Sequence, residues 1–253
     1  MAKHEYDLED RGDIADYLGI NFRKESNGTL KFTQPQLIDE ILKEVGITET
    51  TRTKPTPAAS TKLLTRDIHL PKFNNSFNYR RVIGQLNYLE KGSRPDISYA
   101  VHQCARFSSD PRQSHADAVI HICKYLHETR GEGLIINPSK DLNFKCYADA
   151  DFIGNYNKGT AHLDVSTSKS RTGFIIFFCD CPIIWASKLQ TCIALSSCES
   201  EYYALSQALR EVLPIMRLLQ EIHEKKFIGT YVPPKCWRTS GNGCHEEMGF
   251  PHQ

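Results

Sequence analysis

Three carboxylates stand at positions whose spacing permits chemistry: Asp149, Asp151 and Glu201. Apolar and other residues alternate through Asn143-Phe-Lys-Cys-Tyr-Ala-Asp-Ala-Asp151. A strand there puts Phe144, Cys146 and Ala148 on one face and Tyr147, Asp149 and Asp151 on the other. Further along, Ser196 or Ser197 caps a long helix whose apolar stripe is Leu205, Ala208, Leu209, Val212, Met216 and Leu219. Around that helix Glu201 lies about 40° from Leu205 and about 20° from Ala208. It therefore shares the core-facing stripe, whereas Glu199, about 200° from it, faces water. An acid on a buried stripe costs free energy unless something positive meets it. Carboxylate oxygens from a strand end and a packing helix suit Mg²⁺. Two such ions about 4 Å apart activate water and stabilise the leaving oxygen of a phosphodiester. A plainer reading has Glu201 merely favouring the positive end of its helix. Spacing alone leaves both readings open.

Other potential ligands are less organised. His102, His115, His121 and His127 fall on separate turns, and capping or solvated histidines account for them better than a zinc site. Cys179-Asp-Cys181, followed by Cys192 and Cys198, departs from the two-to-four-residue gap of zinc motifs. Cys179 also ends an apolar strand pattern, where a small hydrophobic residue is expected. Lys225-Lys226 is a solvated helix end.

The elements that must position the acids follow from periodicity. Gly173-Phe-Ile-Ile-Phe-Phe178 is a buried strand, Cys181-Pro182 a turn, and Ile183-Ile-Trp-Ala186 a third strand. With the strand before them they form an antiparallel meander. Upstream, Tyr17–Phe22 and Leu30–Phe32 are strands joined across Asn27-Gly28. Leu37, Ile38, Ile41, Leu42 and Val45 make one helical stripe ended by Gly46. Residues 47–78 are a long connector rich in Thr, Pro, Asn and Ser. Helices are predicted over Tyr79–Leu89, over Ile97–Phe107 with Asp96 as N-cap, and over Ser114–His127, closed by Gly131 and Gly133. The predicted fold is α+β: a helical first half, then a three-stranded antiparallel meander with a long helix.

Composition narrows the function class. The 253 residues are 40% hydrophobic and 24% charged, enough for a globular core. No apolar run reaches the ~20 residues of a membrane span, and the first ten residues are polar and acidic, unlike a secretory signal. The net charge is only +1, so any nucleic-acid site must be local rather than a matter of bulk charge. Nine scattered cysteines without an export signal favour reduced thiols and an intracellular setting, cytoplasmic or nuclear.

A resemblance covers nearly the whole chain. Tyr17-Leu-Gly-Ile20, Tyr79-Arg-Arg-Val-Ile-Gly-Gln-Leu-Asn-Tyr88, Arg94-Pro-Asp-Ile-Ser-Tyr-Ala100, Tyr147-Ala-Asp-Ala-Asp151, Ser170-Arg-Thr-Gly173, Ile184-Trp-Ala-Ser-Lys188 and Ala194-Leu-Ser-Ser-Cys-Glu-Ser-Glu-Tyr202 occur in one order. This resembles the carboxy-terminal part of a copia-type retrotransposon Pol polyprotein. The resemblance implies that residues 1–136 are the end of a reverse-transcriptase palm with its thumb and connection. It implies that residues 142–224 are a ribonuclease H-like domain, and that 225–253 are a divergent tail. Ribonuclease H cleaves the RNA strand of RNA/DNA hybrids. By this resemblance Asp149 and Glu201 are catalytic Mg²⁺ ligands, and Asp151 lies behind them. The implied partners are an RNA/DNA hybrid or other nucleic acid and further parts of the polyprotein, with no membrane.

The same resemblance sets limits. The polymerase's paired aspartates, in a Tyr-x-Asp-Asp strand, are not in this sequence, so DNA synthesis by the chain is not expected. The family's third carboxylate follows the long helix, but no Asp occurs after Asp180, and Glu246 and Glu247 are not in a recognisable strand. The ribonuclease H domain is therefore expected to be incomplete and its activity impaired, with an unpaired sheet edge prone to aggregation. The alternative is a non-catalytic transposon-derived remnant that at most binds nucleic acid.

Overall fold

The computed structural model describes residues 14–59, 64–154, 156, 158–159, 161–223 and the backbone of 229–232. Strands β1 (Asp16–Tyr17), β2 (Ile20–Lys24) and β3 (Leu30–Thr33) form an antiparallel sheet completed by β4 (Leu134–Ile136). The single strand expected over Tyr17–Phe22 is broken by a tight turn. Leu18 and Gly19 both have positive φ, at 53° and 74°, the combination that a two-residue hairpin demands. Tyr88 pins the turn by donating its hydroxyl to the Leu18 carbonyl at 2.6 Å. Asn27 and Gly28 make the second turn as expected, and Phe22 faces Phe32 across it with ring centroids 4.7 Å apart. The sequence pattern does not reveal β4, because a three-residue apolar run carries no periodicity. Gly133 precedes it as more than a helix terminator: a Cβ there would overlap the Phe32 carbonyl.

Four helices fill the rest of the first half. In α1 (Pro35–Val45), proline occupies the first turn and Gly46 closes the end at φ 80°. Asn78 caps α2 (Tyr79–Gly92), its side chain accepting from the Arg81 amide at 3.1 Å. After a 3-10 turn over Pro95–Ile97 come α3 (Ser98–Ala105) and α4 (Gln113–Glu128). Ile38, Ile41, Leu86, Leu89, Val101 and Ile122 are among the side chains sealed between them. Asp96 is not the cap it was expected to be. It accepts from Arg94 Nε at 2.9 Å and Nη2 at 2.7 Å, because a forked, charge-assisted pair outcompetes a single amide. Arg94, 1% exposed, also donates to the Thr129 carbonyl at 2.9 Å and hydroxyl at 2.7 Å. Tyr125 donates to the same Asp96 carboxylate at 2.8 Å, so the motif beginning at Arg94 ties the end of α2 to the end of α4.

The second half is the meander that alternation predicts. Strands β5 (Phe144–Asp151), β6 (Arg171–Phe178) and β7 (Cys181–Leu189) pair antiparallel in that order. The β6–β7 turn lies two residues earlier than expected. Cys179 and Asp180 take the positive φ values, 51° and 64°, and Pro182 lies inside β7, an outer strand where a missing N–H is tolerated. Helix α5 (Ser197–His223) packs on Phe144, Cys146, Ala148, Phe174 and Ile176 through Ala208, Val212 and Met216. Leu205 and Leu209 are only half-buried. The contact row is instead Ala204, Ala208, Val212 and Met216, since alanine lets the helix axis approach the sheet closely.

One expectation is overturned. The sheet has four strands, because β8 (Gly229–Val232) pairs parallel with Phe144–Tyr147 of β5 and covers that half of the edge expected to be open. The α5 crossover returns the chain in the direction that parallel pairing requires, and Thr-Tyr-Val is a favourable strand sequence. The remainder of the divergent tail, with Glu246 and Glu247, lies outside the described residues.

The halves meet between α3 and β7. Trp185 donates its indole N–H to the Glu90 carbonyl at 3.2 Å, and Lys91 donates to the Trp185 carbonyl at 3.2 Å. Arg171 lies over the Tyr99 ring, 5.2 Å from its centroid.

Candidate active site

The pleat of β5 places the acids as alternation requires. Ala148 is buried against α5, while Asp149 and Asp151 are exposed on the opposite face, the one turned toward the helical half. Opposite Asp149 stands Gly173, which presents no side chain, and opposite Asp151 stands Arg171. The Asp151 carboxylate lies against Gly154, where a Cβ would overlap it.

Helix α5 separates the two glutamates of its first turn. The Glu199 amide donates to Ser196 Oγ at 3.1 Å, and Glu199 Oε2 accepts from the Leu195 amide at 2.7 Å. That reciprocal arrangement is close to a capping box and identifies Ser196 as the cap. Glu199 is exposed, whereas Glu201 is only 8% exposed on the sheet-facing side, the division that the helical wheel predicts.

A buried glutamine connects these elements. Gln190 Nε2 donates to the Ser200 carbonyl at 2.9 Å and to Thr172 Oγ1 at 3.2 Å. Thr172 pairs with Ala150, between the two aspartates. The first turn of α5 and the acid-bearing end of β5 thus occupy one end of the sheet, approached from its two faces. Among the described residues, no three His, Cys, Asp or Glu side chains converge on a point where a metal ion would sit. Hard oxygen donors of this kind fit a Mg²⁺ ion that keeps waters and takes further ligands from a substrate phosphate, not a closed protein cage.

One of the other potential ligands, His115, has a structural task. His115 Nδ1 accepts from the Arg112 amide at 3.0 Å and its other ring nitrogen lies 2.8 Å from the Thr65 carbonyl, at the start of α4. The seven described cysteines are free, and burial pushes the Cys104 and Cys123 thiols up to about 12, which makes them poor nucleophiles.

Sequence reasoning assigned no role to Gln190 or Arg171. Neither a lone glutamine after a strand nor a lone arginine at its start gives a periodic signal, although Arg171 belongs to one of the matching motifs. Arg171 is 4% exposed, and burial pushes its guanidinium down to about 10. Nη1 donates to the Ser187 carbonyl at 3.1 Å, but Nε and Nη2 are buried without hydrogen-bond partners. Such a group gains little from its charge. Arg171→Met, which keeps the length and packing on Tyr99, is expected to leave the unfolding free energy within about 1 kcal/mol of the parent or to raise it. Denaturant unfolding checks this; a loss of several kcal/mol would show that the charge itself holds the interface.

Comparison with known proteins agrees with the motif order. The Retrovirus-related Pol polyprotein from transposon TNT 1-94 of Nicotiana tabacum is 31% identical over 231 residues, covering 88% of this chain and 17% of that protein. The Retrovirus-related Pol polyprotein from transposon RE1 of Arabidopsis thaliana is 30% identical over 217 residues, covering 86% and 14%. The putative transposon Ty5-1 protein of Saccharomyces cerevisiae is 28% identical over 208 residues, covering 82% of this chain and 64% of its own length. The chain belongs to the retrovirus-related Pol polyproteins of copia-type transposons. It spans about a sixth of the length of the two plant polyproteins. No family model and no solved structure matches it. No helix among the described residues is long and apolar enough to cross a membrane.

Proposed function

We propose that residues 142–224 act as a ribonuclease H-type hydrolase on the RNA strand of RNA/DNA hybrids, at an impaired rate, as part of a transposon Pol polyprotein. Residues 1–136 are in this reading the end of the reverse-transcriptase palm with its thumb and connection, a scaffold without the polymerase's own acids. The observation that carries the proposal is that Gln190 ties the first turn of α5, which bears Glu201, to the end of the sheet that bears Asp149, through Ser200 and Thr172. Carboxylates brought to one end of a sheet are candidate ligands for a hard cation. Asp149 and Glu201 hold Mg²⁺, and Asp151 supports them from behind. When bound, the ion supplies Lewis acidity at the scissile phosphate. The protein's part is to hold the two carboxylates at fixed positions, which the Gln190 bridge and the Ser196–Glu199 cap accomplish.

A second reading has a specific observation in its favour. Among the described residues no three His, Cys, Asp or Glu side chains converge, which fits a chain that binds nucleic acid without cutting it. Incubating the folded chain with a hybrid labelled on its RNA strand separates the two. Shortening of the RNA in Mg²⁺ but not in EDTA supports the hydrolase; intact RNA bound by the protein in both conditions supports the second reading.

A further inference from the structure

A cleft of about 720 Å³ opens between the halves, bounded by the connector, the end of α3, the β5–β6 connection and the end of β7. Its charged lining is Arg66, Arg106, Lys169, Asp110 and Asp164. These charges are not equally available. Asp110 is paired with Arg112 at 3.0 Å. Asp164 caps the 3-10 turn Val165–Ser168, accepting from the Ser166 amide at 3.0 Å. Arg106 is committed to the Leu64 carbonyl at 3.1 Å, to Gln103 at 2.9 Å and to the Ser166 hydroxyl, and its charge offsets that of Asp164. Arg66 is exposed and Lys169 half-buried, and neither side chain makes a hydrogen bond or ion pair among the described residues, although the Lys169 amide donates to the Ser166 carbonyl at 3.3 Å. The uncommitted charge of the cleft is therefore positive, with one cation from each half of the chain. A concave site with low-dielectric walls concentrates such a field.

The floor of the cleft gives it direction. Gln190 lines it and also bridges Thr172 to the first turn of α5. The cleft thus begins at the acid-bearing end of the second sheet and runs toward the helical half. We infer that this cleft binds the phosphodiester backbone of a nucleic-acid strand through Arg66 and Lys169, holding in place the strand whose neighbouring phosphates lie at the acids. The inference rests on the proposed function for the identity of the strand and not for the existence of the site. Sequence-independent phosphate contacts of this kind set register and affinity.

The test is fluorescence anisotropy of a short labelled RNA/DNA hybrid with the full chain in EDTA, where cleavage does not intervene, at several salt concentrations. Arg66→Ala and Lys169→Ala are each expected to weaken binding about 5- to 10-fold and to lower the salt slope by about one. Arg23→Ala, at an exposed cation on β2 that does not line the cleft, is expected to change neither. Parent-like affinity and slope in the Arg66→Ala/Lys169→Ala double variant would overturn the assignment, as would no binding by the parent. Equal dependence on both residues for poly-glutamate would also overturn it, since the site would then be a general acidic-peptide surface. The cleavage assay is read separately. Binding that depends on the cleft without cleavage keeps this site and removes the hydrolase, and cleavage indifferent to both cations does the reverse.

Discussion

Glu201→Gln is expected to lower Mg²⁺-dependent cleavage of the hybrid by about 100-fold or more, and Asp149→Asn to do the same. Both substitutions keep side-chain volume and remove only the negative oxygen that a hard cation needs. Glu201 is buried and Asp149 exposed, so they differ in everything except their place at one end of the sheet. A shared loss therefore reports a shared task. Glu199→Gln is the internal comparison. It lies two residues away and accepts the Leu195 amide, so its loss is expected to cost up to about 1 kcal/mol of helix capping and no cleavage. Cleavage lost in Glu199→Gln and kept in Glu201→Gln would reverse the assignment.

Arg94→Ala is expected to carry the largest stability loss, about 3 kcal/mol or more in denaturant unfolding. The side chain is sealed and makes charge-assisted bonds to Asp96 and two bonds to Thr129, with the Tyr125 ring 5.5 Å from its guanidinium carbon. Truncation leaves the Thr129 carbonyl and the Asp96 carboxylate without those donors and a void among the helices. Arg94→Lys keeps the charge and not the fork, and is expected to recover about half of the loss. The pair also has a pH signature. Burial alone would raise the Asp96 pKa, but the Arg94 hydrogen bonds and charge, with the Tyr125 hydroxyl, outweigh it and hold the carboxyl below its ordinary 3.8. A depressed folded-state value means that the contribution is complete above the unfolded value and lost as pH falls through the lower, folded one. Thermal melts are therefore expected to lose midpoint below about pH 4 in the parent, and to lose less of it in Asp96→Asn. Equal pH profiles would remove Asp96 from the account of acid stability.

How far the sequence reveals this molecule depends on how local each signal is. The β5 alternation is readable because one face meets α5 and the other does not, so Ala148 and Asp149 differ in type as in environment. Glu201 is readable because helical periodicity separates it from Glu199. By contrast β4 and β8 are short runs whose pairing is decided by distant partners, Phe32 for one and the open side of β5 for the other. The Arg94–Asp96 fork escapes a local rule because its other half, Thr129 and Tyr125, is roughly thirty residues away. The cleft is less visible still: Arg66 and Lys169 belong to segments with no periodicity and meet only through the packing of α3 on β7. Local pattern reveals the acids; only the assembled fold shows what surrounds them.

The most direct measurement is a double-mutant comparison of hybrid cleavage under single-turnover conditions, with parent, Asp149→Asn, Glu201→Gln and the double variant, each shown to be folded by circular dichroism. If the two carboxylates serve one metal-dependent step, the double variant cleaves no more slowly than the slower single variant, because residues that act as a unit are lost together. Parent-like cleavage in both single variants, or losses that multiply in the double, would contradict a shared site at Asp149 and Glu201.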